Sequence, residues 1–303
     1  MLVTVSLGGN ALLTRGQSMT AENQRANVRR AVAAIVDIID AGHQVVISHG
    51  NGPQIGLLAL QSAALHPEWP EPLDLLGAET QGGIGYMIEQ ELENLLRGRY
   101  RVVTLLTQVE VDPNDPAFGN PTKPIGPVYS KAEADKIAAS TSWVFKSDND
   151  DYRRVVPSPK PQRIPDIIVV RILLDHDVIV ICAGGGGIPV VRGPDGALNG
   201  IEAVIDKDWA SAMLSEKLQA HFMLLLTDAE AVYENWGSPW QKPIRRTTSA
   251  KLRKHQFAEG SMGPKVAAAC HFVDATGGSA GIGLLSEALA ILNGASGTLI
   301  TRD

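Results

Sequence analysis

An α/β protein with a largely parallel sheet covered by helices is what this sequence predicts, and three observations carry it. Apolar, β-rich runs recur from one end of the chain to the other, helical patterns separate most of them, and several of the runs end directly in glycine-rich turns.

The elements follow in order. The run Leu2 to Leu7 breaks at Gly8-Gly9-Asn10. A helix starts at Thr20, a capping residue, carries Val28, Val32, Ile35, Val36 and Ile39 at helical spacing, and stops at Gly42. Gln44 to Ser48 completes a strand, helix and strand crossover and runs into His49-Gly50-Asn51-Gly52. After the run Val102 to Thr107 the pattern breaks into DPNDPAFGNPTKPIGP, Asp112 to Pro127, whose prolines forbid regular helix. A protruding loop or small hairpin excursion is expected there, continuing through SDNDDYRRVVPSPKPQ. The sheet resumes at Val178 to Cys182, ending in Gly184-Gly185-Gly186-Gly187, then at Phe222 to Leu226, Ala280 to Leu285 and Thr298 to Thr301. No internal repeat or low-complexity tail interrupts this order, so the chain is expected to form one folded body.

With 303 residues, 44% hydrophobic and 20% charged, the chain has the composition of a folded globular protein. Its length suits one large α/β unit or two closely packed lobes. A formal net charge of -6 offers no general attraction for nucleic acid or an anionic membrane. Cys182 and Cys270 are too few for a disulfide framework or a thiolate zinc site, and both are expected to be reduced and structural. The start MLVTVSLGGNALL lacks the pattern of a secretory signal and no apolar run reaches the length of a membrane span, so a cytoplasmic location is expected.

Glycine turns at the carboxyl ends of parallel strands are where ligands of open α/β sheets bind. Glycine removes the side chain that would hold a phosphate away, and amides at helix starts point donors at an anion. One such loop is ordinarily just a tight turn; three together predict a cradle for a polyphosphate. No Gly-Lys pair exists for a Walker loop, and no glycine run has the spacing of the dinucleotide fingerprint.

Phosphoryl transfer spreads negative charge over oxygen atoms, so its catalysts are positioned cations and donors. A lone lysine is ordinarily a solvated surface charge. Three here lie in rigid or glycine-rich turns: Lys123 in the proline-stiffened loop NPTKPIGP, Lys207 in Asp206-Lys207-Asp208 before the helical pattern WASAMLSEKL, and Lys265 after Gly260-Ser261-Met262-Gly263-Pro264 at a helix start. Asp208 is the carboxylate expected to orient them; Asp206 shares that role or caps the helix, and either could help hold magnesium. His49 either touches substrate or supports its turn. Arg153 and Arg154 either steer anions toward the protruding segment or form a solvated strand edge.

Along essentially the full chain, and in order, SLGGNALL, HGNGPQIGLL, NPTKPIGP, YRRVVPSP, AGGGGIPV, EAVIDKDWA, LLTDAEAVY, GSMGPKVAAA and GTLIT resemble the motifs of the carbamate kinases, within the amino acid kinase family. The resemblance implies a three-layer α/β/α sandwich with a mainly parallel central sheet and a small protruding subdomain. It implies one domain over residues 1–303, with an acceptor lobe at 1–175 that includes the protruding subdomain at about 112–160, and a nucleotide lobe at 176–303. The implied reaction is reversible phosphoryl transfer between carbamoyl phosphate and ADP, giving ATP and carbamate, with Mg²⁺ on the nucleotide and a homodimer as the usual assembly. Lys123, Lys207, Asp208 and Lys265 match the family's catalytic set. Gly8, Gly9, Asn10, Gly50, Asn51, Gly52 and Gly184, Gly185, Gly186 and Gly187 match its carbamate and phosphate cradle, and Asp206, Thr227, Asp228, Tyr233, Met262 and Gly263 fall in its nucleotide region. No residue is assigned as a resident metal ligand. Acetylglutamate, aspartate and uridylate kinases are the nearest competing readings, against which NPTKPIGP and YRRVVPSP speak. A sensor that has lost catalysis is the alternative of another class, and the retained lysines argue against it.

Overall fold

The computed structural model describes residues 1–14, 16–148, 150–257 and 262–303, and of Asn10 the backbone alone. The first half of the chain gives β1 (Leu2–Leu7), α1 (Gly9–Leu12), α2 (Ala21–Asp40), β2 (Gln44–His49), α3 (Gly52–Leu65), α4 (Leu73–Leu96), β3 (Arg101–Thr104), β4 (Gln108–Val111), β5 (Lys123–Tyr129), α5 (Lys131–Ser140), β6 (Val144–Asp148) and β7 (Asp151–Val156). Then follow β8 (Pro161–Arg163), α6 (Ile167–Leu174), β9 (Val178–Ile181), β10 (Ile188–Arg192), β11 (Leu198–Gly200), α7 (Lys207–Leu218), β12 (Phe222–Thr227), β13 (Val232–Glu234), β14 (Lys242–Ile244), β15 (Arg246–Thr248), α8 (Ser249–Leu252), α9 (Met262–Thr276), β16 (Ser279–Leu284), α10 (Ala288–Leu292) and β17 (Thr298–Thr301).

An eight-stranded sheet in the order β15-β17-β16-β12-β1-β2-β9-β3 forms the middle layer, parallel except where β17 runs against β16. The chain moves from β1 outward to β2 and later returns to the other side of β1 with β12, so the crevice between β1 and β12 is the switch point at which ligands of such sheets bind.

Alternation along the central strands assigns their faces. Val3, Val5 and Leu7 of β1, with Val45 and Ile47 of β2, pack with Val28, Val32 and Ile35 of α2 and Ile84, Ile88 and Leu92 of α4. Burying one such aliphatic side chain stabilises by about 1.5–3 kcal/mol, so this layer supplies much of the driving force. The Thr20 hydroxyl accepts the Asn23 N–H and starts α2 where the sequence places it. On the opposite face α6, α7 and α9 close the third layer. There β1 presents the hydroxyls of Thr4 and Ser6, and these meet Ser215 and Ser211 of α7.

The proline-rich excursion forms its own antiparallel sheet, β5-β7-β6, with α5 beside it. Lys123 is therefore the first residue of a strand. Pro124 and Pro127 are tolerated because β5 is an edge strand, and the pairing with β7 shifts register between Ile125 and Val128. A capping box at Ser130 and Glu133 starts α5, a helix that the sequence pattern did not announce. The small sheet sits on α3 at Gly56 and Gly126, where a Cβ on Gly56 would stand 2.0 Å from the Gly126 Cα.

Candidate functional site

Three loops converge at the carboxyl ends of β1, β2 and β9. The Gly8 N–H donates to the Leu226 carbonyl at 3.0 Å and the Gly50 N–H to the Leu7 carbonyl at 3.0 Å. A Cβ on Gly50 would lie 3.2 Å from the Gly9 nitrogen and 3.3 Å from the Lys207 Cδ, so backbone and lysine stem meet closely there. Gly186 has φ +95°, and a Cβ there would come 2.3 Å from the Ile205 carbonyl oxygen. A Cβ on Gly184 would fall 2.3 Å from His49 Nε2, and one on Gly185 2.2 Å from the Asn51 amide nitrogen, so the second and third loops are in direct contact.

The charged groups meet above these loops. Asp206 is the N-cap of α7, accepting from the N–H groups of Asp208 at 2.9 Å and Trp209 at 3.3 Å, and its other oxygen takes the Lys123 ammonium. Lys207 Nζ donates to Asp208 Oδ1 at 2.5 Å and to Ser6 Oγ at 3.2 Å. Lys265 Nζ, in the first turn of α9, reaches Asp208 Oδ2 at 3.3 Å. Asp208 thus holds two lysines and Asp206 the third, an arrangement built on one helix start.

Electrostatics follow from this packing. Burial pushes the Asp206 carboxyl up, but the Lys123 ammonium, the Lys207 charge and the Asp208 N–H together outweigh it and hold the acid below the usual carboxylate range. The same pair keeps Lys123 above the ordinary lysine value against the pull of its burial. Lys207 is pulled down, first by burial and then by the Lys265 charge, more than Asp208 restores.

His49 is buried with Nδ1 3.1 Å from the Gly50 carbonyl, and burial lowers its pKa to about 4. It is a neutral ring under Gly184 that supports its turn. Asn51 donates to the Thr80 hydroxyl at 2.8 Å. Gly52 begins α3, and a Cβ on it would stand 4.0 Å from the Pro124 carbonyl, next to Lys123. Gly187 approaches Val109.

On the β12 side, Thr227 lies beside Gly8 and donates to Asp228 at 3.1 Å, while the Tyr233 hydroxyl donates to Glu230 at 3.0 Å with its ring against Trp236. Met262 and Gly263 open α9, Met262 packing on the core beneath that helix. The side chain of Asn10, and Gly260 and Ser261 of the motif before Lys265, lie outside the described residues.

The expectation of a solvated edge fails for Arg154, which is 7% exposed, stacks over Trp143 at 3.7 Å and pairs with Glu202 at 3.7 Å. Burial lowers its pKa to about 10. Arg153 is half-buried and donates to the Gly126 carbonyl at 2.9 Å, on the bulge of β5. Both arginines brace the small sheet.

Sequence reasoning missed the supports. Gln81 exchanges hydrogen bonds with the Thr107 backbone, and the Thr107 hydroxyl accepts the Ala183 N–H at 3.0 Å, which fixes the entry to the tetraglycine turn. Ser6, Ser48 and Ser211 form a hydroxyl group beneath Lys207. Their signal was legible in part: Thr4 and Ser6 alternate with valine and leucine in β1.

The amino acid kinase family model matches residues 1–282. The chain belongs to the amino acid kinase family. Among characterised relatives of this amino acid kinase, the carbamate kinase of Rhizobium meliloti is 54% identical over 305 residues, covering 100% of this chain and 94% of that protein. The carbamate kinase of Haemophilus influenzae is 54% identical, covering 100% and 97%. A solved carbamate kinase from Giardia lamblia bound to citric acid superposes with a TM-score of 0.94 at 39% identity, over 100% of this chain and 98% of that one. The same enzyme bound to AMP-PNP superposes with a TM-score of 0.90, over the same shares. The mainly parallel α/β architecture and the phosphotransferase class expected from the motifs are thus those of the family.

Proposed function

We propose that the chain catalyses reversible phosphoryl transfer between carbamoyl phosphate and ADP, giving ATP and carbamate. The observation that carries this reading is the placing of three lysines, by two carboxylates at one helix start, over three convergent glycine loops. Carbamate is already an anionic oxygen nucleophile, so it needs alignment and charge neutralisation rather than a strong base.

In this reading the turns at Gly8-Gly9-Asn10, Gly50-Asn51-Gly52 and Gly184 to Gly187 hold carbamoyl phosphate through backbone N–H groups. Lys123 reaches it from the small sheet. Lys207 and Lys265 neutralise the phosphoryl oxygens in flight, with Asp208 fixing their direction. Asp206, Thr227, Asp228, Tyr233, Met262 and Gly263 belong to the nucleotide side, and residues 1–175 and 176–303 divide as acceptor and nucleotide lobes.

Asp206 and Asp208 already face ammonium groups, so the shell of Mg²⁺ is assigned to nucleotide phosphate oxygens and water. When bound, the ion neutralises charge on those phosphates. Among the described residues no helix is long and apolar enough to cross a membrane. A cytoplasmic homodimer, acting without nucleic acid or membrane, completes the proposal.

The test is a substrate panel: ATP consumption with carbamate, acetylglutamate, aspartate and UMP, beside thermal shifts with MgADP and carbamoyl phosphate. Turnover with carbamate alone supports the reading. Turnover with another acceptor, or ligand-dependent stabilisation without turnover, refutes it.

A further inference from the structure

Helix α7 turns an unusual face to the sheet. Lys207, Ser211 and Ser215 recur every four residues on its buried side and meet Thr4, Ser6 and Ser48, which point from β1 and β2. A buried hydroxyl without a partner costs about 1–3 kcal/mol, so a seam of five needs a fully paired network.

Ser211 Oγ stands 2.6 Å from the Lys207 carbonyl, which can only accept, so its one proton serves that carbonyl and Ser6 in turn. Ser211 Oγ also reaches Ser6 Oγ, which accepts from it at 3.1 Å, and shares a hydrogen bond with Ser48 Oγ at 2.7 Å. With two lone pairs, Ser6 accepts from Lys207 Nζ as well, at 3.2 Å. An ammonium carries three hydrogens; Asp208 takes one and Ser6 a second, which leaves the third aimed by tetrahedral geometry.

We infer that Ser6 is a positioning residue for phosphoryl transfer, its oxygen held in place by Ser211 so that it accepts from Lys207 and directs the remaining N–H of that lysine toward the glycine loops. This inference rests on the reading of Lys207 as a catalytic group. Because an acceptor at the ammonium favours its charged form, Ser6 also sustains the charge that burial opposes. Among the described residues, the charged or titratable groups that act on Lys207 are Asp206 and Asp208 on its own helix, Lys265 from α9 and His49 from β2, with Lys123 of β5 paired to Asp206 beside them.

The experiment compares Ser6→Ala, Thr4→Val and Lys207→Met by kcat, nucleotide KM, thermal stability and the pH profile of kcat. Thr4 bonds Ser215 at the far end of the seam, so Thr4→Val reports the loss of a buried hydroxyl as such. Ser6→Ala is expected to lower kcat about tenfold with nucleotide KM within about twofold, and to move the basic limb about one pH unit to lower pH, the equivalent of that tenfold effect. Thr4→Val is expected to lose stability while keeping kcat and the limb. A Ser6→Ala enzyme with wild-type kcat and limb overturns the inference, as does an equal loss of turnover in Thr4→Val. Should Ser6→Ala not fold, Ser211→Ala removes the hydroxyl that holds Ser6 in place, and a limb unmoved in that variant is equally fatal. If Lys207→Met turns over normally, the underlying reading fails; if it is inactive while Ser6→Ala is unaltered, only the inference about Ser6 fails.

Discussion

Replacing Asp208 by asparagine keeps the shape of the side chain and removes the one charge that two lysines share. The Asp208 side chain is 4% exposed, with ammonium groups at 2.5 and 3.3 Å. At an effective dielectric constant of about 20 each attraction amounts to about 5–7 kcal/mol, and release of the buried carboxylate from its own desolvation returns part of this. Breaking a buried pair of this kind typically costs about 3–5 kcal/mol. In a chain of this size that is a fall in Tm of about 5–8 °C. Lys207 and Lys265 then repel each other without the carboxylate that lay between them, and turnover is expected to fall at least about a thousandfold, more than one misplaced donor accounts for. Thermal melts and initial rates on the same preparation measure both. A variant that melts within about 2 °C of wild type and keeps more than about a tenth of its turnover refutes the assignment of Asp208 as the shared anchor.

Other perturbations have defined outcomes. Lys123→Ala is expected to lower turnover about a hundredfold and to lower Tm by a few degrees, because Asp206 still caps α7 but loses its cation; a folded variant with wild-type turnover contradicts this. The Asp206 carboxyl is held below its ordinary value, so the stability it contributes is complete above about pH 4 and is lost as pH falls through the folded value. Urea melts should therefore show the gap between wild type and Asp206→Asn shrinking from pH 6 to pH 3, and a constant gap opposes the pairing. Cys182 and Cys270 are both buried, with thiols pushed up by burial to about 12 and about 11, so a thiol reagent at pH 8 should react with neither until denaturant is added. Gly186→Ala puts a Cβ against the Ile205 carbonyl at a left-handed position, and should lower both Tm and affinity for carbamoyl phosphate.

Much of the central sheet was legible because buried parallel strands are short apolar runs with glycine at their ends. The expected β1 matches the observed strand at both ends, and the Thr20 cap and Gly42 stop bracket α2. Periodicity spoke less clearly for the small sheet: β5 carries two prolines, and its edge position and bulge, which make them tolerable, depend on partners far along the chain. Arg154 looked like a surface charge for the same reason, since Trp143 and Glu202 cover it only after folding. The glycine-rich sequence of β16 also has a tertiary cause: a Cβ on Gly281 would stand 2.5 Å from Ile291, so α10 packs directly on that strand. At the site, the lysines were visible through their confined turns. Which carboxylate takes which lysine was not, because it depends on how β5 and α9 approach the start of α7.

The most direct test is the initial rate of ATP formation from carbamoyl phosphate and MgADP by the wild-type enzyme, measured beside Lys123→Ala, Lys207→Met and Lys265→Ala. Rapid ATP formation by the wild type, with a loss of about two orders of magnitude or more in each folded variant, is the predicted result. An inactive wild-type protein, or folded variants that retain its rate, contradicts the account.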